Sequence, residues 1–244
     1  FAEKKLPVWG VILFWLSLLK FMEKMDDTYR HKGLRKKLVQ TLRRKGINNE
    51  EVLKAFEKVP RHFFMESGFI EFAYKDQAFP IGNGQTISQP YTVAVQTELL
   101  NPQKHDKILE IGTGSGYQAA ILCEIGANVF SIERHRDLYL KAKSVLNEMG
   151  YQPYLFYGDG FEGVPRYAPY DKILITAAAG EIPDKLFEQL KVEGKMVLPL
   201  GGNMGQEMTV ITKTDENSYE EDHYGSFIFV PMVKGKNGNN NKKE

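Results

Sequence analysis

The stretch Leu109-Glu110-Ile111-Gly112-Thr113-Gly114-Ser115-Gly116-Tyr117 constrains this 244-residue chain more than any other, because an apolar run passes through three alternating glycines into a second apolar run. The pattern predicts a buried strand entering a glycine turn that opens a helix. Glycines let the backbone turn tightly and approach a ligand without Cβ obstruction, while the free N–H groups of the helix start face that ligand. A dinucleotide fingerprint needs the spacing G-x-G-x-x-G, and Tyr117 stands where its third glycine would fall. The nicotinamide reading is weakened accordingly.

Ala127 to Glu133 reads as a second strand ending in an acid, placed to accept hydrogen bonds from both hydroxyls of a ribose. Pro153 to Tyr157 reads as a third strand running into Gly158-Asp159-Gly160, whose aspartate is suited to accept from an adenine amino group. Taken in order, these segments resemble the class I S-adenosyl-L-methionine-dependent methyltransferases. That resemblance implies an α/β, Rossmann-like fold: a mainly parallel sheet with helices on both faces and an antiparallel edge strand.

The rest of the chain is read around this core. An amphipathic helix from Lys32 to Lys45 carries Leu34, Leu38 and Leu42 on one face, and a second helix begins at Asn49-Glu50-Glu51 and stops before Pro60. Both belong to a small N-terminal helical cover over residues 25–75. The passage from Phe79 to Pro90 reads as a structured loop, and Pro90 starts the helix that follows it. Strands are expected near 107–111, 128–132, 154–158, 171–176, 194–199, 207–213 and 226–232, with helices near 117–126 and 136–149. Residues 76–233 form the expected methyltransferase domain, and 234–244 an expected disordered polar tail.

Composition excludes little but points one way. A net charge of +1 gives no global pull toward nucleic acid, and the single Cys123 rules out an internal disulfide framework. Cys123 is read as a packing residue. His31, His62, His105, His135 and His223 are scattered without metal-ligand spacing, so no metal is expected. The apolar segment Leu6 to Leu19, flanked by Lys4, Lys5 and Lys20, is shorter than the ~18–20 residues that span a bilayer, and no small-x-small cleavage site follows it. Three readings of residues 1–24 stay open: a start extended ahead of Met22 or Met25, a membrane anchor, and a packed helix. The first is the expectation, with a cytoplasmic location.

Four motifs sharpen the resemblance: Val59-Pro60-Arg61-His62-Phe63, Ala78-Phe79-Pro80-Ile81-Gly82, Gly84-Gln85-Thr86-Ile87-Ser88-Gln89-Pro90, and Leu109 to Tyr117. In this order they are similar to the protein-L-isoaspartate (D-aspartate) O-methyltransferase family over about Gly33 to Val233. The resemblance implies methyl transfer from S-adenosyl-L-methionine to the free α-carboxylate of an L-isoaspartyl residue in a damaged protein or peptide. The resulting ester collapses to a succinimide that reopens partly as normal aspartate. It makes Ser88 the active-site serine, an orienting donor rather than a covalent nucleophile. Glu110, Gly112, Gly114 and Gly116 would line the methionine part of the cofactor, Glu133 the ribose, and Asp159 with Gly160 the adenine. Pro90, Tyr91, Thr92 and Val93 correspond to a further cofactor-contacting segment. Some relatives carry a threonine near the cofactor after the last Val-Pro, where this chain has Val230-Pro231-Met232-Val233.

The segment after the fourth strand, Ala177-Ala178-Ala179-Gly180, lacks the Asn/Asp-Pro-Pro-aromatic motif of many amino-methylating enzymes, which disfavours a nucleobase or glutamine amine. Three rivals stand beside this reading: a methyltransferase for a small-molecule carboxylate or hydroxyl, a cofactor-binding adaptor without chemistry, and a hydride-transferring oxidoreductase. A monomer acting on isoaspartyl proteins, with no nucleic-acid partner, is the expectation.

Overall fold

A computed structural model of the chain describes residues 26–202 and 205–237. The apolar N-terminal segment lies outside the described residues. Among those described, no helix is long and apolar enough to cross a membrane.

Helix α1 (Tyr29–Arg44) starts at Thr28, whose side chain accepts from the His31 N–H, and ends with Arg43 and Arg44 at the negative pole of its dipole. Helix α2 (Glu50–Lys58) is capped by Asn49, which accepts from the N–H groups of Glu51 and Val52. Leu38, Leu42, Val52, Leu53 and Phe56 are buried, so the apolar stripes of both helices face one core. Strands β1 (Phe79–Gly82) and β2 (Gln85–Ile87) form an antiparallel hairpin where the sequence reads as a loop. Helix α3 (Pro90–Leu100) opens on Pro90, as expected, because the first helical turn needs no proline N–H.

The central sheet has seven strands: β3 (Lys107–Ile111), β4 (Asn128–Glu133), β5 (Tyr154–Tyr157), β6 (Tyr170–Ile175), β7 (Leu190–Leu200), β8 (Gln206–Lys213) and β9 (Tyr219–Phe227), in the order β5-β4-β3-β6-β7-β8-β9. β5, β4, β3, β6 and β7 are parallel, and β8 and β9 continue antiparallel at one edge. β3 is the centre, with Ile108, Leu109 and Ile111 at most 2% exposed, as a strand covered on both faces requires. Helices α4 (Tyr117–Ile125) and α5 (Arg136–Glu148) join α1, α2 and α3 in the larger apolar cluster. The opposite face is covered more thinly: the five-residue α6 (Asp184–Glu188) supplies Leu186 and Phe187, Tyr167 packs on Phe130, and Val164, Ile182 and Met232 complete the cover.

The last strand is displaced from its expected place. The apolar run 226–232 reads as a strand, but β9 is Tyr219–Phe227 and is exposed along nearly its whole length. The segment after it leaves the sheet, where the Ala178 N–H donates to the Val230 carbonyl at 2.8 Å and the Met232 N–H to the Ala178 carbonyl at 2.7 Å. Its apolar side chains serve the site rather than a ladder. The edge strand, wetted on both faces, has no alternation to betray it. Residues 234–237, read as the start of a disordered tail, are also placed. The Gly235 N–H donates to Asp159 Oδ2 at 2.7 Å, and the Asn237 N–H to the Arg134 carbonyl at 2.8 Å. Main-chain hydrogen bonds hold this stretch, and composition does not report those.

Candidate functional site

The site lies at the C-terminal ends of the parallel strands, where β3 and β6 part. Gly112, Gly114 and Gly116 have φ of 95°, 54° and 89°, conformations that favour glycine. A Cβ on Gly112 would lie 2.6 Å from Thr176 Oγ1, and one on Gly116 3.0 Å from Leu146 Cδ1. The turn is fixed from both sides: the Gly112 N–H donates to the Ile132 carbonyl at 2.9 Å, and the Thr176 hydroxyl reaches the Ile111 and Gly112 carbonyls at 2.9 and 2.8 Å.

Two carboxylates near this turn have different surroundings. Glu133, at the end of β4, accepts from the Gly114 N–H and the His135 N–H, each at 2.8 Å, and lines the cavity over the turn. Glu110, on β3, is fully buried and does not line it. Ser131 Oγ donates to Glu110 Oε2 and sits 2.6 Å from Thr113 Oγ1, while Oε1 has no partner. Burial pushes the Glu110 carboxyl up to about 8. Glu110 therefore supports the turn from beneath through Ser131 and Thr113.

Asp159 follows β5 and has both oxygens engaged, with the Phe161 N–H at 3.0 Å and the Gly235 N–H at 2.7 Å. A Cβ on Gly160 would sit 2.6 Å from Ile111 Cγ2 and 3.3 Å from Met232 Cε, so that glycine permits a close approach of main chain to β3. The cavity over the glycine turn is lined by neither Asp159 nor Gly160.

Ser88 is half-buried between β2 and α3. It lines the cavity over the glycine turn and a second, neighbouring cleft; Thr86, Thr176 and Val230 also border both. The second cleft opens between the 86–92 segment and the end of β9, with Tyr224, Gly225 and Phe227 on its far wall. Among the four residues of the segment after Ser88, Val93 faces the first cavity, Tyr91 and Thr92 the second, and Pro90 neither. The Tyr91 N–H donates to Asp76 Oδ1 at 2.8 Å. Burial raises Asp76, but its bonds to Lys45 and Tyr91 outweigh that and hold it below the usual carboxylate range.

Several site residues carry no signal in sequence. Thr176 completes the glycine turn from the end of β6, and Gln96 Nε2 donates to the Ile175 carbonyl at 2.9 Å. Gln118 Nε2 donates to Thr97 Oγ1 at 3.0 Å, leaving its own Oε1 buried without a partner. Arg61 stands behind Ser88; the motif around it marks the family without assigning it a role. Sequence spacing also hides one convergence: ligand atoms of Asp27, His31 and His62 lie within 4.8 Å of one another. Arg35 occupies both oxygens of that aspartate, at 2.9 and 3.0 Å. Cys123 is half-buried in α4 against the larger apolar cluster, and burial pushes its thiol up to about 12, consistent with packing.

The chemistry of the lining discriminates among ligands. Among the described residues, neither cavity has a lysine or arginine in its wall, and the first contains the acid Glu133. Such a wall suits a cofactor that brings a positive charge and hydroxyl groups, and it offers no cationic side chain for a pyrophosphate. The absent Cβ atoms at Gly112 and Gly114 let the turn pack against Thr176 and Ile81 in its positive-φ conformation, which leaves its main chain along the cavity wall.

Known proteins resemble this chain over most of its length. The family model described as protein-L-isoaspartate(D-aspartate) O-methyltransferase matches residues 33–237. A protein-L-isoaspartate O-methyltransferase of Christiangramia forsetii is 54% identical over 214 residues, covering 87% of this chain and 100% of that protein. One of Flavobacterium psychrophilum is 53% identical over the same shares. A solved protein-L-isoaspartate O-methyltransferase superposes with a TM-score of 0.75 at 30% identity, covering 82% of this chain and 66% of that one. A Plasmodium falciparum structure named as a beta-aspartate methyltransferase in complex with S-adenosyl-L-homocysteine shares the fold, with a TM-score of 0.72 at 23% identity over 84% of this chain and 99% of that one. A match running from α1 through the docked 234–237 segment, with full-length relatives above half identity, means that the chain belongs to the protein-L-isoaspartate(D-aspartate) O-methyltransferase family.

Proposed function

We propose that Gly112, Gly114 and Glu133 hold S-adenosyl-L-methionine, and that Ser88 receives the free carboxylate of an L-isoaspartyl residue entering through the second cleft. As a member of its family the chain is a carboxyl methyltransferase that acts on isoaspartyl sites in damaged proteins and so begins their repair. The observation that carries the assignment of roles is the shared border of the two cavities: Ser88, Thr86, Thr176 and Val230 face both. A donor held in one and an acceptor held in the other meet at that border.

When bound, the cofactor supplies an electrophilic methyl group on a sulfonium. The chain's residues then have three tasks. The glycine turn and Glu133 fix the donor, Glu133 already being held by two main-chain N–H groups so that its oxygens are pre-oriented toward the cavity. Ser88 and the surrounding main chain orient the carboxylate by hydrogen bonds to one oxygen, leaving the other free to attack. Ile87, Val93 and Val230 exclude water, stripping hydration from a group that is ionised at neutral pH and needs no general base. Positioning supplies much of the rate. Asp159 and Gly160 sit at the end of β5, on the side where the adenine would extend; Asp159 is held in place by Phe161 and Gly235. The enzyme works as a monomer in the cytoplasm on protein and peptide substrates, without nucleic acid.

The test is methylation of an isoaspartyl peptide beside its aspartyl twin, followed by mass spectrometry. Base-labile ester on the isoaspartyl peptide alone is the expected result. Ester on neither peptide contradicts the substrate assignment.

A further inference from the structure

Arg61 opens a short 3-10 turn, Arg61–Phe64, and is 0% exposed. Its Nη2 donates to the Ser88 main-chain carbonyl at 2.9 Å, and its guanidinium lies 4.9 Å from the centre of the Tyr117 ring. Nε and Nη1 are buried with no hydrogen-bond partner. A buried cation without a counter-ion is costly, and it stays only where packing or a later partner compensates it. Tyr117, Asp76 and Tyr74 are the groups that favour its charge, and Asp76 is already committed to Lys45 at 2.5 Å. Burial lowers the guanidinium to about 10, so it remains charged at neutral pH.

The cavities that meet at Ser88 contain no lysine or arginine among the described residues. A carboxylate entering there meets hydroxyl and main-chain groups, while the charge of Arg61 lies one layer beneath, across the Ser88 carbonyl. That arrangement suits carboxyl methylation. A guanidinium in direct bidentate contact would tie up the lone pairs that must attack, whereas one behind the loop attracts the anion through a low-dielectric wall and leaves the oxygen not bound by Ser88 free to attack.

We propose that Arg61 is the positioning residue of the carboxylate site: it anchors the Ser88 main chain and supplies the buried positive charge that draws an isoaspartyl carboxylate to Ser88 and keeps it ionised there. The inference rests on the placement of the carboxylate proposed above. In that complex the charged and titratable groups around the bound anion are Arg61 from behind, Glu133 and Tyr117 across the first cavity, and Tyr91 and Tyr224 in the walls of the second cleft.

Arg61→Gln and Arg61→Lys separate charge from shape. For Arg61→Gln we expect KM for an isoaspartyl peptide to rise at least tenfold, and affinity for S-adenosyl-L-homocysteine by calorimetry to stay within threefold. We also expect the acid limb of the kcat–pH profile to move to higher pH, because the bound carboxyl loses the cation that held its pKa down. Arg61→Lys should keep the acid limb in place while KM still rises, since an ammonium retains the charge and loses the reach. A merely structural role would change thermal stability and both ligands alike without moving that limb. Wild-type KM and an unmoved acid limb in folded Arg61→Gln, or equal loss of cofactor-product affinity, overturn the proposal. Should Arg61→Gln not fold, Arg61→Lys decides: a raised KM with an unmoved limb and S-adenosyl-L-homocysteine affinity within threefold supports it, and a shifted limb, wild-type KM or equal loss of both ligands overturns it. A wild-type enzyme that methylates no isoaspartyl peptide would instead sink the substrate assignment itself.

Discussion

The two walls of the site are built on different principles. The donor wall is main chain at the ends of parallel strands: a turn of three positive-φ glycines, hydrogen-bonded to β4 and to Thr176, with one acid pinned by two N–H groups. The carboxylate wall is a short segment, residues 85–93, lying outside the main sheet: it runs from β2, paired only with β1, into the first turn of α3, and between them Arg61 holds the Ser88 carbonyl and Asp76 the Tyr91 N–H. Rigidity in the first comes from the sheet, and in the second from a short hairpin, a helix start and two side chains, Arg61 and Asp76. The donor wall should therefore fail by losing cofactor, and the carboxylate wall by losing substrate with cofactor still bound.

Three perturbations test that division. Gly112→Ala should have the largest effect, because it forces a side chain into φ 95° and sets its Cβ 2.6 Å from Thr176 Oγ1. Left-handed strain of about 1–2 kcal/mol plus displacement of the turn should weaken S-adenosyl-L-homocysteine binding about 100-fold. Titration calorimetry giving near-wild-type affinity would show that the turn does not hold the donor. Glu133→Ala should cost roughly 1–3 kcal/mol of cofactor affinity, the range for hydrogen bonds to a charged group. Its kcat at saturating cofactor should stay close to wild type; a collapsed kcat would mean that Glu133 acts on the chemistry instead. On the opposite wall, Ser88→Ala should lower kcat/KM for the isoaspartyl peptide about 10- to 100-fold, with cofactor affinity within a few-fold. Parallel loss of both would erase the distinction between the walls.

The smallest expected effect concerns Glu110 beneath the turn. Its carboxyl is pushed by burial from 4.5 to about 8, so the folded chain holds the proton while the unfolded chain releases it across that window. Stability is fully present below about pH 4.5 and is lost as pH rises through about 8. Between pH 5 and pH 8 the wild-type Tm should fall relative to Glu110→Gln by about 2–4 °C for each kcal/mol involved. Identical pH dependence in the two proteins, measured by thermal unfolding, would show that Glu110 keeps its charge when buried.

The same contrast explains what could be read from the sequence. The glycine turn, Glu133 and the strands around them follow from local patterns: apolar runs, glycines at fixed spacing, an acid at a strand end. Asn49 and Pro90 announced their helices for the same reason. Thr176, Gln118 and Arg61 act through contacts with residues 64, 21 and 27 positions away, and no periodicity encodes those. The β1–β2 hairpin was hidden because Gly82-Asn83-Gly84 reads as loop and each strand is at most four residues long. Residues 228–232 read as a strand because an apolar run lining a cleft has the same composition as one buried in a sheet; here Ile228 is 93% exposed and Phe229 and Val230 are only half-buried. Residues 234–237 read as structureless because main-chain bonds and the Lys234 and Lys236 ammonium groups over the Phe161 and Tyr157 rings hold them without apolar residues.

A crystal structure with S-adenosyl-L-homocysteine and an isoaspartyl peptide bound together tests the central claim most directly. The account predicts the homocysteine sulfur beside the Gly112–Gly114 turn and the isoaspartyl carboxylate within hydrogen-bond distance of Ser88, on opposite sides of the Thr86–Val230 border. A carboxylate bound away from Ser88, or a cofactor lying outside the glycine turn, would contradict it.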